Sequence, residues 1–401
     1  MQVIIFDDKR FNNFFPISHT RSVGDLRCGI LKLRQRLQFV FDSDDSMVII
    51  EPRLYALYRE RHPDWQINVC PDGQKLYLNS RIKLDYEAIT EIKNLSPETA
   101  LIQGDDIVAC MSSTSFGFGD PIPEGLSTTA AQTLLYNYIS DLVHDNARLI
   151  EWDFQNVFYE AENYFETEPG VTVLNPYNIW VAEEVTLAPN VVLDASSGPI
   201  VLDTGAKVMA SSVITGPAYI GKKSLVKIGA KIYGGVSIGP LCKVGGEIEG
   251  SVFQAYSNKQ HDGFLGHAYI GEWVNLGADT NNSDLKNTYK NVKTYIYPER
   301  RQIDSGNRFM GCILGDHVKT GINCSMNTGL VVGTGSNIYG SKLFSSFVAD
   351  YSWGEADNLC EYRFPDFIQT ASIVKSRRGL GMTKAEMELL KTLMENKCKT
   401  I

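Results

Sequence analysis

The chain has 401 residues, 43% hydrophobic and 21% charged, with a formal net charge of −9 and a pI near 5.3. This is the balance of a soluble globular protein, long enough for two domains with separate cores. It argues against nucleic acid or an anionic membrane as the main partner. No window approaches the 18 or more apolar residues of a membrane span. The opening MQVIIFDDKRF meets acidic residues after four apolar ones, too few for a signal-peptide core, so a cytoplasmic protein is expected. The eight cysteines are scattered, with no CxxC pair and no zinc-type Cys/His spacing, and are expected to stay reduced.

Residues 1–168 are expected to form the first domain. VIIF, SMVII and ALIQ read as buried strands, and SVGDLRCGILKLRQRL as a helix with Leu26, Ile30, Leu33 and Leu37 on one face. Strands alternating with helices predict a parallel α/β sheet that binds ligands at the carboxyl ends of its strands. The first strand runs directly into Asp7, Asp8, Lys9 and Arg10, followed by Pro16, Thr20 and Arg21, placing acids and cations where a nucleotide's phosphates would sit.

This start resembles, in degenerate form, the sugar-nucleotidyltransferase opening LAAGxGTRMxPxxxxxPK. It is closer to a variant family fused to a β-helix, in which FDD, a proline, TRP and LRxGI recur; here they read FDD, Pro16, TRS and LRCGI, and EWDFQNV from Glu151 matches that family's PWDxxxN. The resemblance implies a Rossmann-like nucleotidyltransferase fold in which Asp8, Lys9, Arg10 and Arg21 meet the phosphates. It also implies that Asp105, in LIQGDD, stands where the wider family binds Mg²⁺. The glycines that let backbone amides cradle phosphates are absent from DDKRFNNFFP. Two outcomes stay open: active nucleotidyl transfer, or a degenerate domain that binds a nucleotide or supports assembly.

From Leu202 the chain divides into sixes, with Leu202, Val208, Ile214, Ile220, Val226, Ile232, Ile238 and Val244 at the first position. Val181, Leu187 and Leu193 keep the interval before an SSGP turn, and Ile270, Leu276 and then Leu314, Thr320, Met326, Val332 and Ile338 resume it. A period of six fits neither a helix nor an alternating strand. It fits a parallel β-helix whose hexapeptides each form one flat side, with an aliphatic inward and a small residue at the corner, here over residues 169–372. Such repeats resemble the left-handed β-helix acyltransferases, which implies acetyl-CoA as co-substrate, a homotrimer, and active sites shared between neighbouring chains.

After Val244 the repeat is expected to break, and the segment from Lys259 reads KQHDGFLGHAYIGEWVNLGADT. It resembles the KxGHxxYLGxxxIGxxVNIGAGT motif of the bifunctional glucosamine-1-phosphate acetyltransferase/N-acetylglucosamine-1-phosphate uridylyltransferase family. The resemblance implies that His261 is the catalytic base, that Asn275 contacts the sugar and that Ala278 lines the acetyl-CoA site. Imidazole suits the role because it accepts a proton near neutrality, as deprotonation of an attacking amine requires. Lys243 and Lys259 are candidates for the sugar phosphate, or solvated surface. Lys286 is the candidate closing the sugar site from the polar loop NNSDLKNTYKNVK, and Gly321, Asn323 and Gly340 are candidates lining the pantetheine arm. His267 is expected to pack. Phe264 replaces the family's Tyr, which removes a hydroxyl that contacts the sugar.

The tail, 373–401, is expected to end in a helix capped by Thr383 and Glu386, with Met387, Leu390 and Leu393 on one face. Lys375, Arg377 and Arg378 are read as CoA-phosphate contacts or as a solvated cluster. The function expected is acetylation of glucosamine 1-phosphate and uridylyl transfer from UTP, giving UDP-N-acetylglucosamine. The alternatives are a nucleotidyltransferase for another sugar 1-phosphate with the β-helix as scaffold, and a non-catalytic sugar-nucleotide-binding subunit.

Overall fold

A computed structural model describes residues 2–43, 46–166 and 169–397; the expected boundary at residue 168 and the last cysteine, Cys398, lie outside the described residues. The chain forms two compact units. One comprises Met1–Leu26, Leu31–Tyr138 and Thr383–Leu393, and the other Arg27–Ile30, Ile139–Met382 and Met394–Ile401.

The first unit is built on a sheet of seven strands, β1 (Gln2–Phe6), β2 (Met47–Ile49), β3 (Gln66–Ile67), β4 (Lys75–Asn79), β5 (Thr99–Gln103), β6 (Asp106–Ser112) and β7 (Ser127–Ala130), in the order β3-β2-β1-β4-β6-β5-β7. β1 pairs in parallel with β2 and β4, whereas β6 runs antiparallel to β4 and β5. The sheet is therefore mixed and not wholly parallel. Only the two residues Gly104 and Asp105 join β5 to β6, and so short a link permits only a hairpin. Ile4, Phe6, Met47, Ile49, Tyr77, Ala100 and Cys110 form the core on one face, and α1 (Leu33–Val40), α2 (Tyr55–Arg61) and α3 (Tyr86–Lys93) complete the layers.

The helix expected from Ser22 to Leu37 begins only at Leu33. Gly29 has φ +83, a left-handed conformation that ends any right-handed helix, and Arg27–Ile30 belongs to the other unit. The terminal helix α6 (Lys384–Lys397) is present, with the Glu386 amide donating to Thr383 Oγ1 at 3.2 Å. Its buried face uses Leu389, Leu390 and Leu393, while Met387 is exposed.

The second unit is a parallel β-helix whose three faces are sheets of five, six and nine strands. The aliphatics from Leu202 to Val244 all point inward and are at most 2% exposed, and they join one continuous core with Ile270, Leu276, Leu314, Met326, Val332 and Ile338. The five-stranded face stacks Leu187, Val208, Val226, Val244 and Lys259 in register. The outward residues of the same strands are Thr186, Lys207, Leu225, Lys243 and Asn258, continued by Asn275 and Lys319.

The expected break after Val244 is not a break in the coil. Strands Lys243–Val244, Glu247–Glu249, Val252–Phe253, Asn258–Lys259 and Phe264–Gly266 continue it without interruption, with Ile248, Phe253, Lys259 and Leu265 inward and buried. What changes is the length of two sides, because Gly246 (φ +72) and Gly250 (φ +52) make tighter corners. The real excursion follows Asn282 and carries an antiparallel hairpin, Lys293–Ile296 with Arg301–Asp304. This hairpin is held down by Tyr295 and Tyr297 against Phe347 at ring separations of 3.9 and 5.4 Å.

One flank of the coil is covered by α4 (Ile139–Asp153) and by Arg27–Ile30. Asn146 Oδ1 accepts from the Gly29 amide (2.7 Å) and from Ser237 Oγ (3.0 Å), while its Nδ2 donates to the Gly235 carbonyl (2.8 Å). Asp153 accepts from the Ile30 amide at 2.8 Å, Gln254 Oε1 from the Arg27 amide at 2.9 Å, and the Tyr269 hydroxyl donates to the Arg27 carbonyl at 2.8 Å. Ile30, Ile150 and Phe154 pack with Val201 and Tyr219. LRCGI and WDFQN, which read as marks of the first domain, thus bind the β-helix. Beyond the coil, α5 (Phe364–Ser376) buries Phe367 and Ala371 and carries Lys375 over the Trp273 ring at 5.4 Å.

Candidate active site

His261 is exposed on the corner joining strand Asn258–Lys259 to strand Phe264–Gly266. The Asp279 amide donates to the Asp262 carbonyl (3.1 Å), and the Asn323 amide to the Ala278 carbonyl (2.8 Å). Successive corners bearing His261, Ala278 and Asn323 are thereby stacked along one edge of the coil. Close approach demands glycine there: a Cβ on Gly277 would lie 2.3 Å from the Gly321 carbonyl oxygen, and one on Gly321 would lie 2.8 Å from Tyr339 Cβ. Gly340 (φ +103) sits beside Glu355.

Asn275 is exposed on the face adjoining this edge, its Oδ1 accepting from Asn258 Nδ2 at 3.4 Å, and Asn258 Oδ1 accepts from Arg378 Nη2 at 3.0 Å. Lys243 lies next to Asn258 in the outward row. Burial lowers the Lys243 pKa, and Arg378, Arg377 and Lys227 lower it further. Lys243 therefore stands in a cluster of cations in which an additional negative charge would be welcome. A groove of about 500 Å³ runs from Lys243 past Leu225, Lys223 and Lys207 to Thr186.

Two candidates are placed elsewhere. Lys286 Nζ is engaged by the Asn291 carbonyl at 2.8 Å within its own loop. Lys259 is neither at a phosphate nor at the surface: it points inward, 1% exposed. Burial moves its pKa down to about 8, against the pull of Asp262, Asp279 and Glu247. The reason is register, since the short sides after Val244 bring Lys259 into the inward row. His267 Nδ1 meets Asp284 Oδ2 at 2.8 Å, and its ring lies beside Phe309, 5.2 Å away. Cys242 and Cys312 are enclosed, and burial pushes both thiols up to about 12, so neither is a ready nucleophile.

In the first unit the carboxyl ends of β1 and β4 meet. Asp8 caps the turn Lys9–Phe14, accepting from the Arg10 amide at 2.9 Å. Arg81, fully enclosed, donates to Asp8 at 2.5 Å, to Asp106 at 2.9 Å and to the Tyr136 carbonyl at 2.8 Å. Asp106 also takes Arg10 Nε at 2.7 Å. Arg10 and Asp8 are thus brought together, whereas Lys9 packs on Gly119 and Arg21, 3% exposed, donates to the Ile17 carbonyl at 2.9 Å. Asp105 is exposed in the hairpin turn, and its neighbour Asp106 does the pairing.

Asp7 is buried, accepting from Ser80 (2.6 Å) and Ser22 (3.0 Å), and burial raises its pKa to about 7. Asp25 is buried too, but Lys32 and Arg34 outweigh that burial and hold its carboxyl well below the usual range. Arg81 and Asn79 were missed by sequence reasoning. Their signal was present: LYLNSR is a buried strand running abruptly into polar residues, just as VIIF runs into DDKR.

Among the described residues no three His, Cys, Asp or Glu side chains stand together as metal ligands. Asp8 and Asp106 are already neutralised by Arg81 and Arg10. The donor set does not fit Mg²⁺ as it stands.

Residues 3–160 match the family model described as sugar nucleotidyl transferase. Over this stretch, less than half of its length, the chain is similar to that family. The nucleotidyl-transferase-like domain is the part of the chain that this match covers. Among curated proteins the chain is 34% identical over 109 residues to a bifunctional sugar-1-phosphate nucleotidylyltransferase/acetyltransferase of Sulfurisphaera tokodaii, covering 27% of this chain and 26% of the relative. It is 30% identical over 191 residues to the bifunctional protein GlmU of Micrococcus luteus, covering 42% and 34%. The chain thus spans about a quarter to a third of the length of these relatives. Among solved structures it is similar to the UDP-N-acetylglucosamine acyltransferase from Campylobacter jejuni, at 13% identity and a TM-score of 0.33, covering 58% of this chain and 90% of that one. Among the described residues no helix is long and apolar enough to cross a membrane.

Proposed function

We propose that the chain is a bifunctional sugar-phosphate transferase of the cytoplasm. The β-helix transfers acetyl from acetyl-CoA to the amine of glucosamine 1-phosphate, and the nucleotidyl transferase domain transfers uridylyl from UTP to the sugar 1-phosphate, giving UDP-N-acetylglucosamine. The observation that carries this reading is the stacked edge bearing His261 and Ala278, with Asn275 and the Lys243–Arg378 cations on the adjoining face. In the reaction the sugar nitrogen attacks the thioester carbonyl and His261 takes the proton it loses. The C–S bond then breaks, and the CoA thiolate leaves with a proton returned by the imidazolium. Asn275 orients the sugar and the cations hold its phosphate. A homotrimer completing the site along this edge belongs to the same proposal, with Ala278, Gly321, Asn323 and Gly340 along the pantetheine arm.

One observation favours a second reading of the nucleotidyl transferase domain, as a nucleotide-sugar binder without turnover. Arg81, Arg10, Asp8 and Asp106 satisfy one another and leave little charge for a triphosphate.

The test is a product assay with the purified full chain, offering acetyl-CoA with glucosamine 1-phosphate, and UTP or dTTP with sugar 1-phosphates. Acetylated product from the native protein, reduced at least about a hundredfold in His261→Ala, is the expected result. Undiminished turnover in that variant refutes the site. Pyrophosphate release decides between the two readings of the nucleotidyl transferase domain.

A further inference from the structure

The inward row of the five-stranded face is aliphatic at Val208, Val226 and Val244, and then places Lys259 on top of Val244. An enclosed ammonium is unfavourable unless fully hydrogen-bonded, and a methionine of the same length would stack at less cost. The charge therefore needs a use that stacking does not provide. Its Nζ donates to two carbonyls, Gly245 at 3.1 Å and His261 at 2.9 Å. The space it occupies exists because residue 246 has no side chain: a Cβ there would lie 2.8 Å from both Lys259 Nζ and the His261 carbonyl oxygen. The same corner is held from the next coil by the Asp279 amide on the Asp262 carbonyl, and carboxylates of Asp262, Asp279 and Glu247 act on the ammonium.

We infer that Lys259 is a positioning residue for acetyl transfer: its ammonium, drawn inside the coil, ties down the backbone carbonyl of His261 and so fixes the direction of an otherwise exposed imidazole. The inference rests on the proposed role of His261. Misplacing a catalytic group by about 1 Å costs on the order of a hundredfold in rate, whereas the residues proposed to bind the substrate are untouched, so the loss falls on kcat and not on KM.

Lys259→Met in the full chain tests this. The expected result is a folded oligomer of native or higher thermal stability. Amide exchange over residues 260–263 should be faster by about tenfold or more, and kcat lower by about ten- to a hundredfold with KM for acetyl-CoA and for the sugar phosphate within about twofold. Unchanged exchange overturns the tether, and faster exchange with unchanged kcat overturns its catalytic meaning. Should that variant not fold, Lys259→Gln, which keeps a donor on a shorter arm, is read by the same two criteria. If the native protein acetylates no acceptor, the acetyltransferase reading fails, while the exchange measurement still decides whether Lys259 holds the corner.

Discussion

Replacing Asp7 by Asn tests whether the turn after the first strand carries a charge cost. Asp7 is enclosed, and burial moves its carboxyl from 3.8 to about 7. An acid whose folded value is raised keeps its proton in the folded state while the unfolded chain has lost it. The contribution of Asp7 to stability is therefore greatest below about pH 4 and declines as pH rises towards 7. At about 1.36 kcal/mol for each pH unit of displacement, the full penalty above pH 7 is about 4 kcal/mol. Asn is isosteric and cannot ionise, and its oxygen still accepts from Ser80 and Ser22. Its Nδ2 replaces the oxygen that takes the Val23 amide at 3.4 Å, a loss of about 1 kcal/mol. The net expectation is a variant about 3 kcal/mol more stable than the native protein at pH 8, and close to it at pH 5. Urea unfolding at the two pH values, with hydrogen exchange in the strand Lys75–Asn79 as the local reporter, measures both quantities. A variant displaced equally at pH 5 and pH 8, or less stable at pH 8, refutes the reasoning.

Arg81→Met leaves Asp8 and Asp106 facing each other without their shared cation. Unfolding of the first unit should become easier by about 3 kcal/mol, the low end for a broken buried pair because both carboxylates are partly solvated, read from the urea midpoint. Removing the cation cluster by Lys243→Met with Arg378→Met should raise KM for glucosamine 1-phosphate about tenfold, leave kcat within about twofold, and weaken the dependence of KM on salt. Steady-state kinetics at two ionic strengths checks it, and an unaltered KM would exclude the phosphate from that position.

The inward row from Leu202 to Val244 was legible because each turn of the coil makes the same local demand, a buried aliphatic at a fixed interval, and nothing distant alters it. Lys259 was not legible, since its side of the wall depends on two corners tightened at Gly246 and Gly250, which bring Lys259 and not a residue three places on into register with Val244. Residues 22–37 misled for a different reason. Their apolar spacing is helical, but the partners of Gly29 and Arg27 are Asn146 and Gln254, more than a hundred residues onward. That His261, Asn275 and Ala278 lie close together on the coil was readable because they fall within one short motif, and their chemical roles belong to the proposal. Arg81 and Asp106 escaped because their pairing is made by adjacent strands that are 25 residues apart in the chain.

The flank formed by Arg27–Ile30 and α4 bears on portability. A gene fragment cut where the family match ends, at residue 160, would deliver a coil whose Ser237, Gln254 and Tyr269 had lost their bonds to the backbone of Arg27 and Gly29. It would also strip Ile30, Ile150 and Phe154 from Val201 and Tyr219. Four residues near the start of the chain are, in effect, the coil's own, lent across the sequence. Swapping front halves between relatives therefore keeps the seal only where the receiving coil offers side chains such as Ser237, Gln254 and Tyr269 to the backbone of Arg27–Ile30.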